Sequence, residues 1–110
     1  SYTVFGYSPI SENVFLNDND PEINVYTASR LGGEQIPSNG GSLSVTARGG
    51  GIVSMDKDGN LSFDPNGEFE SLGGGETSTA SVEYEICDDG TPSVCDTAWV
   101  VFTIVGSNDV

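Results

Sequence analysis

The chain has 110 residues, 35% of them hydrophobic, and 17 acids against only Arg30, Arg48 and Lys57, for a net charge of −14. So few cations make nucleic acid and anionic membrane surfaces poor partners, because both are bound through basic side chains. The absence of histidine removes Ser-His-Asp and Cys-His chemistry, and no apolar run is long enough to span a bilayer.

The length suits one domain, residues 1–110, with a modest core. The N-terminus carries neither a basic region nor an apolar signal segment, so a module excised from a longer protein is the expectation. The excess acid has two readings. It either keeps the chain soluble by self-repulsion or is partly neutralised by metal ions; the clustered acids favour metal.

Short segments of period-2 alternation run through the chain with turn residues between them, and no helix is expected. Tyr2–Tyr7 and Asn13–Leu16 read as one strand broken at Ser8-Pro9. The acid and amide loop Asn17-Asp18-Asn19-Asp20-Pro21-Glu22 follows. Ile23–Ala28 is the next strand, then Gly32–Gly41 reads as a surface loop. Ser42–Ala47, Ile52–Met55 and Asn60–Asp64 come next, the last two joined by Asp56-Lys57-Asp58-Gly59. That tetrapeptide resembles the start of an EF-hand loop but lacks the later ligands and the helices, so a tight hairpin turn is expected. Gly49-Gly50-Gly51 and Gly73-Gly74-Gly75 lack a phosphate loop's lysine and are turns or linkers. Ser81–Cys87 and Asp96–Val105 close the chain. About seven strands in about a hundred residues is the count of an immunoglobulin-like sandwich. Its expected core is Ile23, Val25, Leu43, Val45, Val53, Leu61, Phe63, Phe69, Val82, Tyr84, Ile86, Val100, Phe102 and Ile104.

Cys87 and Cys95 are the only cysteines. With Val82, Tyr84 and Ile86 facing inward, Cys87 lies on the outer face with Glu83 and Glu85. Cys95 lies outside with Thr97 and Trp99 by the same alternation. Both sulfurs then occupy one side of a hairpin, where they can pair; the alternative is two free thiols. Pairing fixes the register, setting Val82 opposite Val100 and Tyr84 opposite Ala98. A bridge implies an oxidising compartment.

If successive strands alternate in direction, Asn17–Glu22 and Asn108-Asp109 share one pole. The Asp56–Asp58 turn and Asp88-Asp89 share the other. Asn17, Asp18 and Asp20, with Asn108 and Asp109, are the first candidates for a metal, and Asp88 and Asp89 the second. Their oxygens suit Ca²⁺, which takes six to eight such ligands. The alternative for the first loop is a polar turn bonded to its own backbone.

Asn13-Val14-Phe15-Leu16-Asn17-Asp18-Asn19-Asp20 is similar to the "NVLxNDxD" element of bacterial cadherin-like and VCBS-type tandem repeats of large surface adhesins. Asp58–Asn66 is similar to "DGTFTYTPN", Val82–Gly90 to "FTYTVSDG", and Thr97–Val105 to "TATVTITV" with an "xxND" linker at Gly106–Asp109. The resemblance implies an all-β, seven-stranded, cadherin-like Greek-key sandwich with calcium at its junctions. It also implies a secreted, cell-surface spacer or adhesive module whose partners are neighbouring modules. The segment before Asp58 is longer than that pattern, with Gly32–Gly41 as an apparent insertion.

Trp99 and Val101 face outward by the same alternation. An exposed tryptophan could stack on a surface glycan or a neighbouring module, or pack on the stem of Glu83. A carbohydrate-binding module is therefore the alternative to the spacer. Enzymatic function finds no support: with 17 acids, no carboxylate pair can be singled out for glycoside hydrolysis.

Overall fold

A computed structural model describes residues 2–5, 9–14, 26–67, 69, 72–88, 90 and 92–106. Nine strands form among them: β1 (Tyr2–Phe5), β2 (Ile10–Asn13), β3 (Tyr26–Leu31), β4 (Glu34–Gln35), β5 (Ser42–Thr46), β6 (Ile52–Asp56), β7 (Asn60–Asp64), β8 (Thr77–Asp88) and β9 (Cys95–Val105). They make two sheets, ordered β1-β9-β8-β3-β4 and β2-β7-β6-β5, and no α-helix occurs among the described residues. The fold is all-β and sandwich-like.

The dominant element is the β8–β9 hairpin, an unbroken antiparallel ladder from Thr77↔Val105 to Cys87↔Cys95. Val82 faces Val100, Glu83 faces Trp99 and Tyr84 faces Ala98, the register that a Cys87–Cys95 bridge requires. The bridge is present, with the sulfurs bonded at 2.04 Å. Both strands extend past the expected ends, β8 starting at Thr77 and β9 at Cys95.

The core lies where the two sheets meet. Phe63 of β7 stacks on Phe102 of β9 with ring centroids 4.3 Å apart, and Phe69 lies 6.4 Å from Phe63. Val53, Leu61, Val82, Val100 and Ile104 are buried around them, as the alternation predicts. Leu43, Val45, Tyr84 and Ile86 are only partly buried and pack against this cluster. Ile23 and Val25 lie outside the described residues. The core also takes Val4, Ala28, Leu31, Ile36, Ala47, Met55 and Ala80, which alternation did not single out.

Two corrections concern chain path. Tyr2–Tyr7 and Asn13–Leu16 are not one strand. β1 pairs parallel with β9 in one sheet, whereas β2 pairs antiparallel with β7 in the other. The chain therefore reverses between them, so β2 and β3 point the opposite way from the expectation. The added β3–β4 hairpin reverses it again, and β5 to β9 run as expected. The second correction is in the glycine-rich stretch. Gly32 and Gly33, at φ +59° and +85°, close a two-residue hairpin between β3 and β4, with Leu31 opposite Glu34. Positive φ at both central positions is what a type I′ turn needs. Ile36 follows into the core, its N–H bonded to Ser29 O at 2.9 Å.

The reversal changes which acids share a pole. Val14 N–H donates to Gly59 O, and Tyr26 pairs with Asp88. The residues on both sides of 15–25 thus sit at the end carrying the Asp56–Gly59 turn and the β8–β9 connection. Gly106 sits at the opposite end, bonded to Gly75 and Glu76 beside the start of β8.

Candidate functional site

Asn17, Asp18, Asp20, Asn108, Asp109 and Asp89 lie outside the described residues. Their flanks do not support a shared pole for the two groups, because Val14 and Tyr26 mark one end of the sandwich and Gly106 the other.

Asp88 organises the connection between β8 and β9. Its Oδ1 accepts from Val94 N at 2.9 Å and Gly90 N at 3.0 Å, and its backbone carbonyl accepts from Ser93 Oγ at 2.7 Å. The Val94 amide first, then that of Gly90, holds the carboxyl below its ordinary value. A carboxylate with a depressed folded pKa stabilises above its unfolded value, and that support is lost as pH falls through the folded value. Acidification below about pH 4 should therefore release the Gly90 and Val94 amides, seen as a shift of their NMR resonances. In Asp88→Asn, whose amide oxygen accepts the same bonds without titrating, both resonances should hold still over that range. Asp88→Ala should show the released positions at every pH.

Asp56 acts similarly in its own turn. Oδ1 accepts from Asp58 N at 2.9 Å and Asn60 N at 3.1 Å, and Oδ2 from Asn60 Nδ2 at 3.0 Å. With Gly59 at φ +82° and its N–H on Asp56 O, this is the hairpin turn expected of the tetrapeptide. Glu85, Cys87 and Cys95 also place oxygen and sulfur atoms close together. The sulfurs are bonded to each other, so no thiolate is available to a metal.

The site with the most chemistry is on the outer face of the first sheet. β5 ends at Thr46, and the chain then crosses from the second sheet to the first, where Arg48 exchanges two backbone bonds with Ser81, 2.8 and 3.0 Å long. Gly49, Gly50 and Gly51, all at positive φ, turn it back into β6, with Ala47 N–H closing on Gly51 O. A side chain at Gly51 would meet the Phe63 ring at 2.5 Å, so this corner is cut to the core beneath it. The out-and-back excursion carries the Arg48 guanidinium across β8 to 5.6 Å from the centre of the Trp99 ring, within cation–π range.

Trp99 stays 50% exposed under that contact. Its cross-strand partner is Glu83, as expected, but packing on Glu83 does not cover it. Arg48, Trp99 and Glu83 line a groove of about 270 Å³, with Gly32, Gly33, Thr46 and Ser81 at its rim. Beyond Glu83, Arg30 lies 3.8 Å from Glu85, and Ser29 Oγ donates to the same carboxylate at 2.7 Å. Among the described residues Arg48 has no carboxylate within salt-bridge distance, whereas Arg30 and Lys57 each do. Sequence alternation placed Trp99 outside; Arg48 had no local signal, since its approach depends on a crossing between sheets.

A broader groove, about 530 Å³, crosses the outer face of the second sheet. Register aligns Ser11, Ser62, Ser54 and Ser44 in one row across four strands, with Ser44 and Ser54 hydroxyls 2.6 Å apart. Among the described residues no aromatic or basic side chain lines this groove, and its serines and the bonded Ser44–Ser54 pair make a solvated polar face.

No protein-family model, curated protein or solved structure matches the chain.

Proposed function

We propose that this chain is a calcium-binding, immunoglobulin-like extender module of a secreted, multi-domain surface protein. The observation that carries the proposal is the parallel pairing of β1 with β9, from Tyr2↔Phe102 to Phe5↔Val105. First and last strands that run side by side in one direction let a chain enter and leave along the same axis, as a string of modules needs. The strand orders, with the chain passing repeatedly between the sheets, accord with a Greek-key sandwich of the cadherin-like kind. The Cys87–Cys95 bridge accords with an oxidising, extracellular setting.

Calcium is the stiffening element in this proposal. The oxygen donors of Asn17, Asp18 and Asp20 suit Ca²⁺ better than Mg²⁺, which prefers to keep its waters. Asp88 has Oδ1 committed to backbone amides, and Asp89 is next to it in sequence. Asn108 and Asp109 follow the strand that leaves at the opposite end, so they belong to a second joint completed by a neighbouring module. Without the ion, clustered carboxylates repel; with it, the loop orders. Isothermal titration of Ca²⁺ into the metal-free domain should give saturable heat, abolished in Asp18→Asn/Asp20→Asn. Heat that persists unchanged in that variant would remove these residues from the site.

A further inference from the structure

The Arg48–Trp99–Glu83 groove is independent of any metal loop and of the extender role. We propose that it is a binding site for a neutral pyranose residue of a glycan.

Three features define the ligand chemistry. Trp99 is the only tryptophan in the chain and, with Phe5 and Val94, one of three large hydrophobic side chains exposed among the described residues. Its indole offers a flat apolar surface to the C–H face of a sugar ring. Arg48 lies over the ring, its guanidinium 5.6 Å from the centroid, and brings N–H donors there with no carboxylate partner among the described residues, while half of the Trp99 surface stays exposed. Glu83, directly across the ladder from Trp99, places an acceptor on the same face. A donor over the indole and an acceptor across the ladder from it suit a ring whose hydroxyls both accept and donate.

Charge decides between neutral and acidic sugars. A uronate or sialate would satisfy Arg48 but would set its carboxylate near Glu83, on a chain carrying −14. Hydroxyls meet Arg48 and Glu83 together with no such repulsion. The volume, about 270 Å³, falls just under the roughly 300 Å³ at which sites for drug-sized ligands begin, and so suits one ring rather than a long chain. The site is prebuilt: the backbone of Arg48 is pinned to Ser81, and that of Trp99 lies in the β8–β9 ladder.

Trp99 also makes the test direct, since its fluorescence reports this groove alone. The domain would be titrated with neutral gluco-, galacto- and manno-configured oligosaccharides, and separately with uronate oligosaccharides. A saturable emission change with a neutral sugar is expected, weakened about tenfold in Arg48→Ala and in Glu83→Ala, the worth of roughly one charged hydrogen bond. Unchanged thermal midpoints would show both variants folded, and calorimetry on Trp99→Ala should show no binding. A silent titration with every neutral sugar would overturn the proposal. So would binding indifferent to both substitutions, or saturation by uronates alone.

Discussion

Phe63→Ala should cost the domain about 3–5 kcal/mol, the usual result of deleting a fully buried aromatic ring. Phe63 is 0% exposed, stacks on Phe102 and contacts Phe69, so one substitution removes the centre of the contact between the sheets. Gly51 lies directly against its ring and has no side chain with which to refill the space. Against a total stability of about 5–15 kcal/mol for a typical domain, that loss is a large fraction. Denaturant unfolding would measure it as a lower midpoint at an unchanged slope. Phe5→Ala is the control: Phe5 is 70% exposed, and its midpoint should hardly move.

Replacing both cysteines by serine should lower stability by about 2–3 kcal/mol, the chain-entropy value for so short a loop. The effect should be local as well as global. From Cys95 to Trp99 every residue of β9 is exposed, whereas from Val100 onward every second residue is buried. β1 covers the other edge of β9 only from Phe102 to Val105. The distal half of the hairpin is thus held by the β8 ladder and the bridge. Amide exchange in the double variant should quicken most between residues 95 and 99 and least between 102 and 105. Uniform acceleration along β9 would show that the bridge acts only through the unfolded chain.

The hairpin that dominates this fold was also its most legible part. Period-2 alternation, two cysteines and a turn-rich spacer suffice to fix the face and register of β8 and β9, and Glu83 lies opposite Trp99 as expected. The Asp56–Gly59 turn and the alternating cores of β6 and β7 are equally local signals. What failed depends on distant pairing. Ser8-Pro9 can mark a bulge within one strand or a reversal between sheets, and only β9 and β7, far along the chain, decide which. That choice set the direction of β2 and β3, and with it the end at which the flanks of the Asn17–Glu22 loop lie. The β3–β4 hairpin restores the expected direction from β5 onward, so the Asp56–Asp58 turn and Asp88 share a pole as expected. β4 escaped notice because its two residues sit among glycines, although Gly32-Gly33 between Leu31 and Glu34 is itself a hairpin signal. Arg48 meets Trp99 through a glycine-rich corner that pairs with β8, an event with no periodicity to reveal it.

Calcium and the extender role stand or fall together in the isolated domain's thermal unfolding, measured with the disulfide intact in excess chelator and then in millimolar Ca²⁺. Binding to the folded state alone adds about 2.7 kcal/mol at a hundredfold excess over the dissociation constant. For a domain of this size that is a rise of roughly ten degrees. The account predicts a saturable rise of that order, absent in Asp18→Asn/Asp20→Asn. An unchanged midpoint across the titration would contradict it and leave Asn17–Glu22 an ordinary polar turn.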